Sequence, residues 1–142
     1  MVYLTRRETF NAAHKLQNPN WSDEKNRQVF GKCSNKNWHG HNYVLFVTVC
    51  GQPDPVTGFV MDAKRLSVIV KEEIVDQVDH SNFNLDVEWF PKEQQPTTEN
   101  LIVAFWGRIH DRIAENGATL YSVRLHETEN IFAEYYGPAG RK

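Results

Sequence analysis

The stretch His39-Gly40-His41-Asn42-Tyr43-Val44-Leu45-Phe46-Val47-Thr48-Val49-Cys50-Gly51 decides how this chain folds. Residues 43–51 are apolar, aromatic and β-branched, which predicts a strand. Strand side chains alternate between two faces, so His39, His41, Tyr43, Leu45, Val47 and Val49 share one side. The two histidines therefore extend an apolar row. Gly40 between them allows close approach of another backbone. Two imidazoles on one side are either a polar strand start or two ligands for one metal ion.

Working outward, residues 2–13 predict a second strand, with Val2, Leu4, Phe10 and Ala12 on one parity and Arg6 and Glu8 interrupting it. The same parity reaches His14. Residues 120–127 and 131–136 predict two more strands joined tightly around Thr128-Glu129-Asn130, with Tyr121, Val123, Leu125 and Glu127 in one row. Two helical patterns lie between. Asp62 is placed as an N-cap, followed by Leu66, Ile69, Val70, Ile74 and Val78 at helical spacing. Pro96-Thr97-Thr98 opens the second helix, which carries Leu101, Ile102, Phe105, Ile109 and Ile113 and closes at Asn116-Gly117. The order β-β-α-α-β-β predicts an α+β fold with an antiparallel sheet and both helices on one face. Residues 15–38 are polar, with a short helix near 22–30; connections of that length are usually functional.

The 142 residues predict a single domain over 1–142. A net charge of −2 argues against nucleic acid as the main partner. No apolar run approaches the ~20 residues of a membrane span, and the first residues lack a signal-peptide core. Cys33 and Cys50 are too few for a disulfide scaffold. An intracellular, soluble protein is expected.

Three apolar rows end in groups that are costly to bury without a partner: His14, the pair His39 and His41, and Glu127. If these ends lie close together they define a pocket. Three imidazole nitrogens with one open position suit a catalytic zinc ion. Cys33, in the polar loop Gly31-Lys32-Cys33-Ser34-Asn35, could be a thiolate of lowered pKa beside Lys32, or a fourth ligand that closes the site. Asp79-His80 is either an acid–base pair or a polar helix terminus. Glu127 is either a solvated corner carboxylate or a buried one able to accept two hydrogen bonds from a guanidinium-like edge.

Together these residues resemble the 6-pyruvoyltetrahydropterin synthase family. The resemblance runs through Phe10-Asn11-Ala12-Ala13-His14, Gly31-Lys32-Cys33-x5-His39-Gly40-His41-Asn42-Tyr43 and Asp54-Pro55-Val56-Thr57-Gly58-Phe59-Val60-Met61-Asp62. It continues through Asp79-His80, Leu85-Asp86, Pro96-Thr97-Thr98-Glu99-Asn100 and Glu127-Thr128-Glu129-Asn130. It implies that His14, His39 and His41 hold Zn2+, and that Cys33, Asp79 and His80 transfer protons. It further implies that Glu127, with Thr98 and Glu99, binds the pterin. The implied architecture is the tunnelling fold: a four-stranded antiparallel sheet and two helices per subunit. Trimers close their sheets into a barrel, two trimers stack into a homohexamer, and active sites lie between subunits.

The implied reaction is a cytoplasmic lyase step of tetrahydrobiopterin synthesis. It converts 7,8-dihydroneopterin triphosphate into 6-pyruvoyltetrahydropterin and releases triphosphate. Mg2+ is implied with the triphosphate, and Lys15, Arg27, Lys32 and Lys36 are the basic candidates for it. The x5 spacing between Cys33 and His39 favours the pyruvoyl enzymes over 6-carboxytetrahydropterin synthases, whose spacing is shorter. Trp38 stands where the family often has a small residue.

Overall fold

The computed structural model describes residues 1–140; the last two residues of the expected domain lie outside the described residues. Two long strands form the centre, β1 (Val2–His14) and β2 (His39–Gly51). They pair antiparallel over their whole length, from Val2 opposite Gly51 to His14 opposite His39. β2 also pairs antiparallel with β4 (Thr119–His126), which pairs with β5 (Phe132–Tyr135). The sheet is not the expected four-stranded antiparallel one. Ser81–Asn82 forms a two-residue β3 that runs parallel to β1 at Ala12 and Ala13, giving the order β3-β1-β2-β4-β5.

The helices begin where their caps dictate. Ser22 caps α1 (Asp23–Phe30) by accepting from the Lys25 N–H. Asp62 caps α2 (Ala63–Val70) by accepting from the Lys64 N–H. A π turn at Lys71–Val75 and a last turn, α3 (Asp76–Val78), prolong this helix to Asp79. Thr97 caps α4 (Thr98–Glu115) by accepting from the Asn100 N–H. The expected stripes are buried: Leu66, Ile69, Val70, Ile74 and Val78 from one helix meet Leu101, Ile102, Phe105, Ile109 and Ile113 from the other. Both cover the face of the sheet that carries Phe10, Tyr43, Leu45, Val47, Val123 and Leu125. Each such side chain, fully buried, contributes about 1.5–3 kcal/mol.

Two details depart from simple alternation. Thr48 opposes Ser122 while Val49 opposes Leu120, so Tyr121 is the extra residue of a β-bulge. The bulge turns Tyr121 out of the expected row, against Tyr3 at a ring-centroid distance of 4.6 Å, and puts Leu120 in the core. Arg6 and Glu8 do lie on the covered side. Glu8 is buried but satisfied, accepting from Arg6 Nε at 2.7 Å and Ser67 Oγ at 2.8 Å. No helix among the described residues is long and apolar enough to cross a membrane.

Candidate active site

The full-length register of β1 on β2 places His14 opposite His39 and Ala12 opposite His41. Gly40 explains the close fit there: a Cβ on it would stand 3.3 Å from the Ala12 carbonyl oxygen. The rings of His14, His39 and His41 meet with centroids 4.5–5.1 Å apart. Their ligating nitrogens all lie within 4.8 Å of one another. His14 Nδ1–H donates to the Pro96 carbonyl at 2.8 Å, which fixes the ring and leaves Nε2 as the free nitrogen.

His14 Nε2, His39 Nδ1 and His41 Nε2 are buried without a hydrogen-bond partner. His41 Nε2 stands 3.2 Å from Glu127 Oε1, an ion-pair distance whose angles are not those of a hydrogen bond. Buried nitrogens left unpaired are costly, and three converging on one point are what a metal ion satisfies. Burial, foremost, and neighbouring imidazoles hold His14 and His39 below the usual histidine range. They are therefore neutral near pH 7, the form that ligates metal. Cys33 is not in the group of convergent atoms, so a metal ion held by the three imidazoles would keep a position for substrate.

A cleft of about 240 Å3 opens beside the triad, lined by His14, Cys33, Thr98, Glu99, Glu127 and Phe132. Glu127 Oε2 accepts from the buried Thr98 hydroxyl at 2.8 Å. The structure thus gathers seven of the nine expected site residues in one place: His14, Cys33, Thr98, Glu99 and Glu127 line the cleft, and His39 and His41 complete the triad beside it. Cys33 corrects one expectation. Burial, and then the charge of Glu127, push its thiol up rather than down, and Lys32 does not offset them.

Asp79 and His80 form an intact pair elsewhere. Asp79 Oδ1 accepts from the Asn11 N–H at 2.8 Å, and Asp79 Oδ2 lies 2.9 Å from His80 Nδ1. The Asn11 bond, opposed by burial and helped by His80, holds the Asp79 carboxyl below the usual range. The His80 side chain is 78% exposed, and its backbone is left-handed, with φ of 58°. It lines a separate depression with Asn11, Gly40 and His41, which Cys33 does not line. The Pro96 carbonyl, which orients His14, and the Asn11 N–H, which anchors Asp79, are backbone groups that side-chain patterning does not reveal.

The sequence model of the family described as 6-pyruvoyl tetrahydropterin synthase matches residues 3–138. The chain belongs to that family. A Drosophila melanogaster relative named 6-pyruvoyl tetrahydrobiopterin synthase is 42% identical over 97% of this chain and 81% of its own length. The Homo sapiens protein of the same name is 41% identical over 94% of this chain and 90% of its own. The solved 6-pyruvoyl tetrahydropterin synthase of Caenorhabditis elegans superposes with a TM-score of 0.87 at 37% identity, over 96% of this chain and 95% of that one. The three-histidine cluster and its cleft are therefore the candidate active site of a 6-pyruvoyl tetrahydropterin synthase family member.

Proposed function

We propose that this chain is a zinc-dependent lyase that converts 7,8-dihydroneopterin triphosphate into 6-pyruvoyltetrahydropterin with release of triphosphate. The observation that carries the reading is the convergence of three buried, unpartnered imidazole nitrogens beside a cleft holding both a cysteine and a hydroxyl-braced carboxylate. Zn2+ held by His14, His39 and His41 would polarise hydroxyls of the substrate's side chain, and its charge would lower the pKa of nearby groups.

The chain's own residues supply the rest. Glu127 keeps lone pairs free beyond the one that Thr98 engages, so it can accept two N–H bonds from the pterin's amidine edge. Thr98 and Glu99, at the start of α4, line the same cleft. Cys33 Sγ stands at the cleft wall, where it exchanges a proton with the substrate's side chain. A thiol raised by burial and by Glu127 is a proton donor until a nearby cation opposes those effects. His80, oriented by Asp79, is the second proton carrier.

His80 and Cys33 line different cavities of one chain, which supports sites completed between subunits. The uncovered face of the sheet supports the same reading. Tyr3 and Phe132 are about half exposed there, and β5 is an edge strand among the described residues, an edge that barrel closure in a trimer would remove. A homohexamer of two such trimers, Mg2+ carried by the triphosphate, and a cytoplasmic setting complete the proposal.

The test is turnover of dihydroneopterin triphosphate by purified, zinc-loaded protein with magnesium. Release of triphosphate with a pyruvoyl product supports the reading. Zinc binding without triphosphate release would sink it.

A further inference from the structure

Four basic residues are candidates for the substrate's polyphosphate on sequence alone, and the fold separates them. Lys15, Arg27 and Lys36 line a single cleft of about 510 Å3. Lys32, exposed on the turn before Cys33, lines neither this cleft nor the one that holds Cys33. We propose that the Lys15–Arg27–Lys36 cleft seats the triphosphate of the substrate, and that Trp38 positions the Lys15 ammonium for it. The inference rests on the reading that the substrate is a pterin triphosphate.

Position comes first. The chain just after β1 divides its side chains between two cavities: His14 and Leu16 line the cleft with Cys33, while Lys15 lines the basic one. Cys33 and Ser34 divide in the same way. The Leu16 N–H donates to the Cys33 carbonyl at 2.9 Å, so one backbone wall separates the two cavities. Consecutive Cα atoms are only about 3.8 Å apart. The basic cleft therefore starts one residue from the metal-ligating and thiol-bearing groups.

The cleft is built rather than incidental. Asn26, 3% exposed, forms part of its wall. Its amide donates to the carbonyls of Asn18, Trp21 and Ser22, and its Oδ1 accepts from the Asn18 N–H. The segment carrying Arg27 is thus fixed against the segment that follows Lys15. A fixed cleft lowers the ordering cost of binding. Three cations face one carboxylate, Asp23, in a chain whose net charge is −2. Arginine supplies a planar fork for phosphate oxygens, and the two lysines supply point charges.

Trp38 is the second, independent observation. Its φ is 68°, a left-handed backbone that side chains with a Cβ rarely adopt. Strain of that kind persists where something else is gained. The Lys15 Nζ lies over the Trp38 ring, 5.4 Å from its centroid. A cation–π contact restricts the ammonium without neutralising it, which leaves it charged for an anion. The strained tryptophan thus has a use in this chain.

Inorganic tripolyphosphate is the direct probe, titrated calorimetrically into zinc-loaded protein at fixed ionic strength. The triple variant Lys15→Met, Arg27→Met, Lys36→Met is expected to bind it about tenfold or more weakly, with zinc content and affinity for unphosphorylated neopterin unchanged. Lys32→Met is expected to bind it as the parent does. Trp38→Gly is expected to weaken binding about two- to fivefold. Undiminished binding by the triple variant, or a larger loss from Lys32→Met than from the triple variant, would overturn the proposal. Because the titration needs no turnover, failure of the lyase reading would appear separately, as absent product with a tripolyphosphate site still dependent on these residues.

Discussion

Replacing Glu127 by Gln separates the two jobs that its position gives it. Its Oε2 accepts from the Thr98 hydroxyl at 2.8 Å, and its Oε1 faces His41 Nε2 at 3.2 Å. Glutamine keeps one oxygen for Thr98, so the fold should stand. The negative charge disappears, and one of the two acceptor oxygens becomes an NH2 donor aimed at the donors of the pterin edge. A hydrogen bond to a charged group contributes about 1.5–3 kcal/mol. At 1.36 kcal/mol per tenfold, affinity for dihydroneopterin should fall about 10- to 150-fold. Calorimetric titration of the zinc-loaded variant reads this directly.

The same substitution should act on Cys33 in the opposite sense. Burial and the Glu127 charge both raise the Cys33 thiol. Removing the charge favours the thiolate, so the pH profile of Cys33 alkylation in zinc-stripped protein should move to lower pH. Unchanged pterin affinity would refute the anchoring role. An alkylation profile that stays put or moves upward would refute the electrostatic coupling between the two residues.

Further outcomes follow from the same geometry. His41→Ala should abolish stoichiometric zinc, since two ligands are left of three; metal analysis showing full occupancy would contradict the triad. Cys33→Ala should retain zinc and lose turnover, whereas loss of metal would make the cysteine a ligand. Asp79 is held below the usual carboxylate range by the Asn11 N–H, so its contribution to stability is present above the ordinary aspartate pKa and is lost as pH falls through the lowered value. Asp79→Asn should therefore flatten the acid limb of the stability–pH curve, and an unaltered limb would count against that bond. Trp38→Gly should raise Tm by relieving the left-handed backbone, a gain of about 1–2 kcal/mol, and a lower Tm would mean that the indole's packing outweighs the strain. Mixed oligomers assembled from Cys33→Ala and His80→Ala chains should regain part of the activity that each lacks alone, and continued inactivity would place both residues in one chain's site.

Much of this was legible in the sequence because burial repeats with the period of the element. The alternation from His39 to Val49 foretold a row that is buried from Tyr43 onward and starts in the two histidines that join His14 in a cluster able to hold a metal ion. The stripe from Leu66 to Val78 survived a π turn, since every one of its residues reached the core. What the pattern missed depends on long-range pairing. Tyr121 left its row because of a bulge set by the register of β4 on β2. Ser81–Asn82 became a strand only because the end of β1 offers a free edge. The thiol of Cys33 is raised by burial and then by Glu127, far away in sequence, rather than lowered by its neighbour Lys32. The choice among four basic residues needed the fold of residues 15–38, where Asn26 organises the loop through contacts that no period encodes.

The most direct test of the central claim is the identity of the product. Purified protein, loaded with zinc and supplied with magnesium and 7,8-dihydroneopterin triphosphate, should release triphosphate and form 6-pyruvoyltetrahydropterin. A carboxytetrahydropterin accompanied by acetaldehyde, or no release of triphosphate at all, would contradict the account.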